Sequence, residues 1–305
     1  MKIVFIVNNK NNRLAKVLPR LDAYCRHIAL GRVQFVSTLR KKHAIELARQ
    51  ATENGCDYLI AVGGDGTLHE VVNGLLQSNL PTSEYPTLGL LPMGSANDFA
   101  RSSHSSNSIE VLAERIQSNT SERIDLGKIV LHKTHEIRYF INIAGVGLGA
   151  EVVKKLERST SILGPGFNYF KNILNGFLTY RKKEVRLKGT TWQWKGPLLQ
   201  LAVANGRFFG HGICIAPDAR IADGEFQVAI FGDLSIWDYL KNIRKLKSGR
   251  RIDLPQVQYH NTREVLLEGD DACGIEADGE YVGHAPATIS ILPKAIRFLL
   301  PPEVH

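Results

Sequence analysis

The sequence predicts an α/β domain followed by a β-rich domain. Residues 1–127 alternate short β-branched apolar runs with stretches of helical periodicity, which is typical of a parallel sheet flanked by helices. Further along, short alternating runs separated by turn residues indicate antiparallel strands. The 305 residues suffice for about two domains of ~150 residues each. We therefore predict an α/β domain over 1–127, a β domain over 128–295, and a tail, 296–305, whose return to the first domain the sequence leaves open.

The composition is that of a globular protein with an anionic partner. Hydrophobic residues make up 44% of the sequence and charged residues 22%, and no apolar run approaches the ~18 residues of a membrane span. The four cysteines are far apart and follow neither a zinc nor a disulfide pattern, so a reducing cytoplasm is expected. A net charge of +8 and a pI of about 9.3 favour a nucleotide, a nucleic acid or an acidic membrane as the partner.

The elements of the first domain follow from the apolar periodicity. They are, in order, a strand at 2–7, a helix at 14–28, a strand at 33–37, a helix around 44–51, a strand at 58–62, a helix at 68–76 and a strand at 86–92. Ligands of parallel sheets gather at the carboxyl ends of the strands. Asn8, Thr38, Asp65 and Ser95 all fall at such ends, and this convergence predicts a ligand site there.

The strongest local signal is the segment IAVGGDGTLHEVVNGLL, which begins at Ile60. A buried strand runs through glycines into a helix, whose first main-chain N–H groups suit an anion. Gly64 and Gly66 would let the main chain approach a phosphate closely, although an ordinary tight turn is the alternative. Because Asp65 would repel a phosphate, Mg²⁺ is expected between the two. The spacing T-x-x-E at the helix start predicts a capping box.

Two turns are predicted in the second half of the chain. A strand ending at Ala144 is followed by Gly145 to Gly149 with the spacing G-x-G-x-G, which fits a close-packed glycine turn better than a dinucleotide fingerprint. Near the carboxyl end, Asp278-Gly279 predicts a type I′ hairpin. The hairpin does not explain Glu280 directly after the turn, whose carboxylate has the chemistry of a general base toward a hydroxyl.

Two further segments leave alternatives open. The loop around Asp223, APDARIADGE, either joins two strands or binds a metal through Asp223 and the carbonyls of Arg220 and Glu225. From Ile162 to Lys183, apolar residues recur at helical spacing, so this stretch either packs on the core or lies on an anionic membrane. The basic residues that flank the apolar ones are Lys171, Arg181, Lys182 and Lys183.

Five ordered segments resemble those of bacterial diacylglycerol-kinase-like lipid kinases. They are GGDGTLHEVVNGLL, LGLLPMGSANDFAR, ANGRFFGHG, APDARIADG and DGE, and they span almost the whole chain. The resemblance implies an α/β nucleotide-binding domain similar to that of NAD kinases and phosphofructokinases, followed by an antiparallel β-sandwich. It also implies transfer of the ATP γ-phosphoryl group to a lipid hydroxyl.

The resemblance extends to individual residues. It implies that Glu280 accepts the proton of the lipid hydroxyl and that Asp65 and Asp98 belong to a Mg²⁺ and phosphate network. The implied nucleotide contacts are Thr38, Gly64, Asp65, Gly66, Thr67, Leu68, His69, Glu70 and Ser95. The implied ligands of a second, structural Mg²⁺ are Arg220, Asp223 and Glu225.

One loop and three single residues depart from the family's pattern. The early loop Asn8–Asn12 lacks the proline and glycine of the family's Asn-Pro-x-Ser-Gly, although Lys10 supplies a positive charge. His69 stands where Asn is usual, and Ala222 stands where Asp is usual. Ser95 replaces Thr and keeps the hydroxyl group.

These features predict an ATP- and Mg²⁺-dependent kinase of a diacylglycerol-like lipid, cytoplasmic, peripherally attached to anionic membranes and acting in phospholipid biosynthesis. The active site is expected between the two domains. One alternative is a soluble-substrate kinase such as NAD kinase, which shares GGDGT; another is a lipid-binding regulator without catalysis, which the presence of Asp65 and Glu280 disfavours. No nucleic-acid partner is expected, and the choice between monomer and homodimer stays open.

Overall fold

The computed structural model describes residues 1–9, 12–157, 165–269 and 273–301. The chain forms two compact units. One consists of Met1–Ile124 together with the segment from Lys294 onward, and the other of Asp125–Pro293. Lys10 and Ile162, which entered the predictions above, lie outside the described residues.

The first unit is built on a parallel sheet. Its elements are β1 (Lys2–Val7), α1 (Asn12–His27), β2 (Arg32–Ser37), α2 (His43–Glu53), β3 (Tyr58–Gly63), α3 (Asp65–Leu76), β4 (Thr87–Pro92), α4 (Asp98–Ser102) and α5 (Ile109–Gln117). The strands pair in the order β2-β1-β3-β4, all in parallel. Because β3 and β4 are buried along their whole length, their apolar runs show no alternation, as expected of strands with both faces covered. The predicted parallel sheet is confirmed, and the loops that follow its strands meet at its carboxyl edge.

The second unit contains most of the remaining elements, and two strands cross its boundaries. The elements are β5 (Ser121–Leu131), β6 (Ile137–Phe140), β7 (Ile143–Gly147), α6 (Leu148–Glu157), α7 (Pro165–Thr179), β8 (Lys183–Lys188), β9 (Gln193–Leu198), β10 (Gln200–Ala204), β11 (Phe208–Phe209), β12 (Ile213–Cys214), β13 (Phe226–Phe231), α8 (Ile236–Lys247), β14 (Val257–Thr262), β15 (Glu264–Gly269), β16 (Gly274–Ala277), β17 (Glu280–His284) and β18 (Ala287–Leu299). The crossing strands are β5 and β18.

An antiparallel sandwich forms the core of the second unit, as predicted. One sheet, called the first sheet below, has the order β14-β13-β10-β7-β16-β17, and adjacent strands in it are antiparallel. Antiparallel pairing also joins β9, β8, β15 and the amino-terminal half of β18. Side chains of both layers share one buried cluster, which includes Val146, Leu201 and Val228 from the first and Leu187, Val265 and Ile289 from the second. The other face of the first sheet packs on α6, α7 and α8.

The structure corrects the glycine turn predicted after Ala144. The strand β7 continues through Gly147, and α6 begins at Leu148. The close packing itself is real, because a Cβ on Gly145 would lie 2.2 Å from Oε1 of the buried Glu276. These glycines therefore make room beside a strand.

The stretch that ends at Lys183 packs on the core along its apolar side. Ile173 and Phe177 of α7 belong to the cluster under the first sheet. Lys182 forms an ion pair with Asp233, and Lys183 begins β8. No helix in the described part of the chain is long and apolar enough to cross a membrane.

Candidate active site

The loops after β1 and β2 are joined by hydrogen bonds. The Thr38 N–H donates to the Val7 carbonyl at 2.8 Å, and the Asn9 N–H donates to Thr38 Oγ1 at 3.3 Å. The Asn8 side-chain amide donates to Thr67 Oγ1 in α3 at 2.9 Å. Thus two of the polar residues predicted to converge, Asn8 and Thr38, stand together with Thr67 at one edge of the sheet.

The loops after β3 and β4 touch each other through their glycines. A Cβ on Gly94 would lie 2.4 Å from the Gly64 Cα, so neither loop has room for a side chain at this point. The Met93 N–H donates to the Gly63 carbonyl at 2.7 Å. Asn97, in the left-handed conformation at a φ of 52°, closes the second loop, since its Oδ1 accepts from the Gly94 N–H at 2.9 Å.

Asp65 holds the start of α4. Its Oδ2 accepts from the Asp98 N–H at 3.1 Å, and its Oδ1 accepts from the Phe99 N–H at 2.9 Å. An acidic group at a helix amino terminus satisfies N–H groups that have no partner within the helix and interacts favourably with the helix dipole. Asp98 is itself buried and lies 3.9 Å from the Arg101 guanidinium. The structure thus brings the two predicted acids, Asp65 and Asp98, into one small network.

The predicted capping box of α3 is wrong. The residue that caps α3 is Gly64, which has no side chain to form a capping hydrogen bond. Glu70 instead reaches the start of α2, where its two carboxylate oxygens accept from the N–H groups of Lys42 at 2.9 Å and Ala44 at 3.0 Å. A long-range partner therefore outcompetes the local one that the spacing from Thr67 to Glu70 predicted.

Some residues predicted to contact the nucleotide have buried side chains, whereas others are exposed at the loop surface. Leu68 is fully buried, and His69 is buried beside Asn73. With Glu70 bonded to α2, the side chains of these three residues are already committed within the unit. The predicted contacts at Gly64, Gly66 and Ser95 are different, because Ser95 and Gly66 are exposed at the loop surface.

The start of α3 has the features of a phosphate site. Within the described residues, the N–H groups of Gly64 and Gly66 have no hydrogen-bond acceptor. Apart from its chain neighbours and the adjacent backbone of α3, no described atom lies within 4 Å of the position that a Cβ on Gly66 would take, so this glycine is not required by packing. Unpaired N–H groups at a helix start, next to open space, fit the phosphates of a nucleotide.

The second unit holds Glu280 on a firmly anchored hairpin. Asp278 and Gly279 have φ angles of 50° and 82°, which confirms the type I′ turn between β16 and β17. The Asp278 carboxylate accepts three main-chain N–H groups, those of Ile141, Asn142 and Ile143, at 3.0 to 3.1 Å. Glu280 is half-buried, and its carboxylate forms no hydrogen bond or ion pair with any described residue. A fixed carboxylate without a partner is available to accept a proton.

Near this hairpin lie two buried asparagines that the sequence analysis did not single out as site residues. Asn142 and Asn205 are at most 4% exposed, and the Oδ1 atom of each lacks a donor among the described residues. Their side-chain N–H groups are satisfied by main-chain carbonyls, those of Phe208 for Asn142 and of Asp125 and Ile141 for Asn205. Asn205 is the second residue of the segment ANGRFFGHG, but nothing in the sequence indicates that its side-chain oxygen is left unpaired.

The loop with the predicted structural metal site lies beside a carboxylate from another element, that of Asp125 in β5. Burial raises the pKa of Asp223, and the nearby carboxylates of Asp125 and Glu225 raise it further. Asp125 is fully buried, and its Oδ2 accepts from the Gly224 N–H at 2.7 Å. Crowded carboxylates and loop carbonyls fit a hard cation such as Mg²⁺. No group of three or more His, Cys, Asp or Glu side chains arranged for a metal occurs in the described ranges, so such a site would depend on the carbonyls of Arg220 and Glu225.

Comparison with known proteins assigns both units. The family described as diacylglycerol kinase catalytic domain matches residues 2–129. The family described as YegS C-terminal NAD kinase beta sandwich-like domain matches residues 142–300. The chain belongs to the diacylglycerol-kinase-like lipid kinases.

Proteins similar to this lipid kinase over most of its length occur in several bacteria. It is 32% identical over 267 residues to a diacylglycerol kinase of Staphylococcus aureus, covering 84% of this chain and 78% of the relative. It is 30% identical over 268 residues to a Yersinia enterocolitica protein named probable lipid kinase YegS-like, covering 86% of this chain and 84% of the relative. A solved structure described as a diacylglycerol kinase from Bacillus anthracis superposes with a TM-score of 0.71 at 19% identity, covering 100% and 98% of the two chains, and shares the fold.

The second unit of the lipid kinase contains a small apolar cavity. The cavity measures about 80 Å³ and lies between the first sheet and the helices. Its lining includes Val152 of α6, Phe177 of α7 and Tyr239 and Leu246 of α8. An engineered cavity of ~150 Å³ lined by such residues binds benzene, so a hydrocarbon chain would need this one to widen.

Proposed function

We propose that this lipid kinase transfers the γ-phosphoryl group of ATP to the hydroxyl of a diacylglycerol-like lipid, with Mg²⁺ as the metal. The observation that carries the proposal is the start of α3, where the N–H groups of Gly64 and Gly66 lack acceptors among the described residues and where Gly66 borders open space. ATP with Mg²⁺ supplies a phosphoryl group whose transfer needs positioning and charge neutralisation more than covalent help.

The first unit would bind the nucleotide. Main-chain N–H groups of Gly64 and Gly66 donate to phosphate oxygens, while the hydroxyls of Thr38 and Ser95 add polar contacts at the same edge. Asp65 positions the start of α4 through two N–H groups and would take part in holding the metal. The buried side chains of Leu68, His69 and Glu70 would shape the helix behind the site.

The second unit would supply the base and hold the lipid. Glu280 accepts the hydroxyl proton, and Asp278 keeps the hairpin in place through its three N–H bonds. The apolar cavity under α7 and α8 would receive part of the hydrocarbon of the acceptor. Asp223, with the carbonyls of Arg220 and Glu225, would bind a structural Mg²⁺ close to Asp125. Peripheral attachment to anionic membranes would bring the enzyme to its substrate.

One assay tests the proposal against the soluble-substrate alternative. ATP consumption is measured with the purified protein and a panel of diacylglycerol, other lipid alcohols, sphingoid bases and NAD. We expect turnover with a lipid alcohol that requires Mg²⁺ and none with NAD. Phosphorylation of NAD alone would refute the proposal. It would also be refuted if none of the lipids in the panel increased the consumption of ATP.

A further inference from the structure

The outer face of α8 differs from the rest of the molecular surface. Six large apolar side chains are exposed in the described part of the chain, and three of them lie on the two helices that cover the cavity: Leu178 on α7, and Trp237 and Leu240 on α8. Trp237 is 67% exposed and Leu178 78%. Single exposed apolar residues are normal, but Trp237 and Leu240 are three residues apart on one helix and therefore share a face, which is typical of an interaction surface.

The sequence of α8 separates two faces cleanly. Tyr239 and Leu246 point inward and line the cavity, and the Tyr239 ring contacts Phe177 of α7 at a centroid distance of 5.3 Å. The outward positions Trp237, Leu240, Lys241 and Arg244 have the spacing i, i+3, i+4 and i+7, which forms one stripe along a helix. These four residues are called the α8 face below.

The helix α8 carries four basic residues, Lys241, Arg244, Lys245 and Lys247, against a single acid, Asp238. Lys241 and Arg244 are exposed, as are Lys245 and Lys247 at the sides of the α8 face, and none of the four forms an ion pair with a described residue. Asp238 accepts from the Ser235 N–H at 2.9 Å in the capping box and also interacts electrostatically with Lys241, so it offsets only part of this charge. The charge therefore faces outward.

We propose that the α8 face docks on the anionic surface of a lipid bilayer and so places the cavity-covering helices at the membrane. Tryptophan and leucine beside lysine and arginine are the side chains that an interfacial helix uses, with the aromatic ring at the headgroup level and the cations at anionic lipids. The proposal rests on the proposed function, since a lipid acceptor resides in a membrane. It differs from attachment through Lys171, Arg181, Lys182 and Lys183, because Lys182 is paired with Asp233 and Lys183 lies in β8.

The test is flotation of the full-length protein with phosphatidylcholine vesicles, with and without phosphatidylglycerol. We expect the wild type to float only with the anionic vesicles. The double variant K241Q/R244Q should bind these vesicles about 10- to 30-fold more weakly, because each cation near an anionic surface strengthens binding by about fivefold at most. The matched double variant K188Q/K195Q removes the same charge from exposed positions in β8 and β9 and should bind like wild type.

A second pair of variants tests the apolar contact. Trp237→Ala should weaken vesicle binding, whereas Ile137→Ala, at another exposed apolar position, should not. All four variants should phosphorylate a monomeric short-chain diacylglycerol in vesicle-free solution as the wild type does, which separates docking from catalysis. If the wild type phosphorylates no lipid, the proposed function fails, while the flotation result still decides the docking proposal.

Three outcomes would overturn the docking proposal. One is unchanged vesicle binding by K241Q/R244Q and Trp237→Ala. Another is an equal loss in K188Q/K195Q, which would mean that only net charge matters. The third is a concentration-dependent dimer in size-exclusion chromatography that Trp237→Ala abolishes, which would assign the α8 face to a second copy of the chain.

Discussion

Gly66→Ala should change stability and nucleotide binding in opposite directions. Gly66 lies in the first turn of α3, and apart from its chain neighbours and the adjacent backbone of α3, a Cβ there would meet no described atom within 4 Å. Alanine is the better helix former, so unfolding should cost about 0.5 kcal/mol more in the variant. In contrast, the methyl group would occupy the space in which the phosphate is proposed to bind.

The loss of affinity can be estimated from the hydrogen bonds at stake. A hydrogen bond to a charged group contributes roughly 1.5–3 kcal/mol. Displacing one phosphate oxygen from the Gly66 N–H should therefore weaken ATP binding by about 10- to 100-fold. Isothermal titration calorimetry with a non-hydrolysable ATP analogue gives the affinity, and differential scanning calorimetry without nucleotide gives the stability.

Gly94→Ala is the contrasting variant. Its Cβ would lie 2.4 Å from the Gly64 Cα, so it should lower both stability and affinity. An affinity of Gly66→Ala within twofold of wild type would refute the phosphate site at α3. A loss of stability in Gly66→Ala without nucleotide would show that packing, and not a ligand, requires this glycine.

Three further changes test other parts of the site. Asp65→Asn should abolish most turnover and also lower the free energy of unfolding by about 1–3 kcal/mol, because the single amide oxygen cannot replace both carboxylate oxygens as acceptors of the Asp98 and Phe99 N–H groups. Steady-state kinetics measures the turnover and calorimetry the stability, and full activity would exclude the metal role. Glu280→Gln should lower kcat ~10²–10⁴-fold with little change in ATP affinity, and a kcat within threefold of wild type would exclude Glu280 as the base. Asp223→Ala should lower the melting temperature and remove its increase with added Mg²⁺, whereas an unchanged Mg²⁺-dependent increase would contradict the structural metal site.

Local patterns were sufficient where the deciding contacts are local. The strand β3 and the hairpin at Asp278-Gly279 follow from apolar runs and from turn chemistry, and both are confirmed. That β1 to β4 pair in parallel followed from strand–helix alternation, whereas their order in the sheet was not predicted. The convergence of Asn8 and Thr38 with α3 was predictable because parallel strands end at one edge.

Long-range contacts were not predictable from the sequence. Glu70 has the spacing of a capping residue for α3, but its carboxylate bonds to the start of α2, 26 and 28 residues earlier. Asp125 gave no sequence signal, since only folding brings it to Gly224, 99 residues later. Likewise, Gly145 sits in a strand and not in a turn, because it must accommodate Glu276 from another strand. In each case the partner lies far along the chain, where spacing carries no information.

The contact between Gly64 and Gly94 restricts how this protein can change under selection. A Cβ on Gly64 would lie 3.0 Å from the Gly94 Cα, and the reverse substitution is still tighter at 2.4 Å. A first substitution at either position is therefore opposed by the other loop, and a second substitution at the partner position adds bulk to the same gap. Mutational routes that alter one loop independently must begin elsewhere in it, for example at the exposed Ser95. Directed evolution toward a different nucleotide as phosphoryl donor should therefore leave both glycines in place and accumulate substitutions around them.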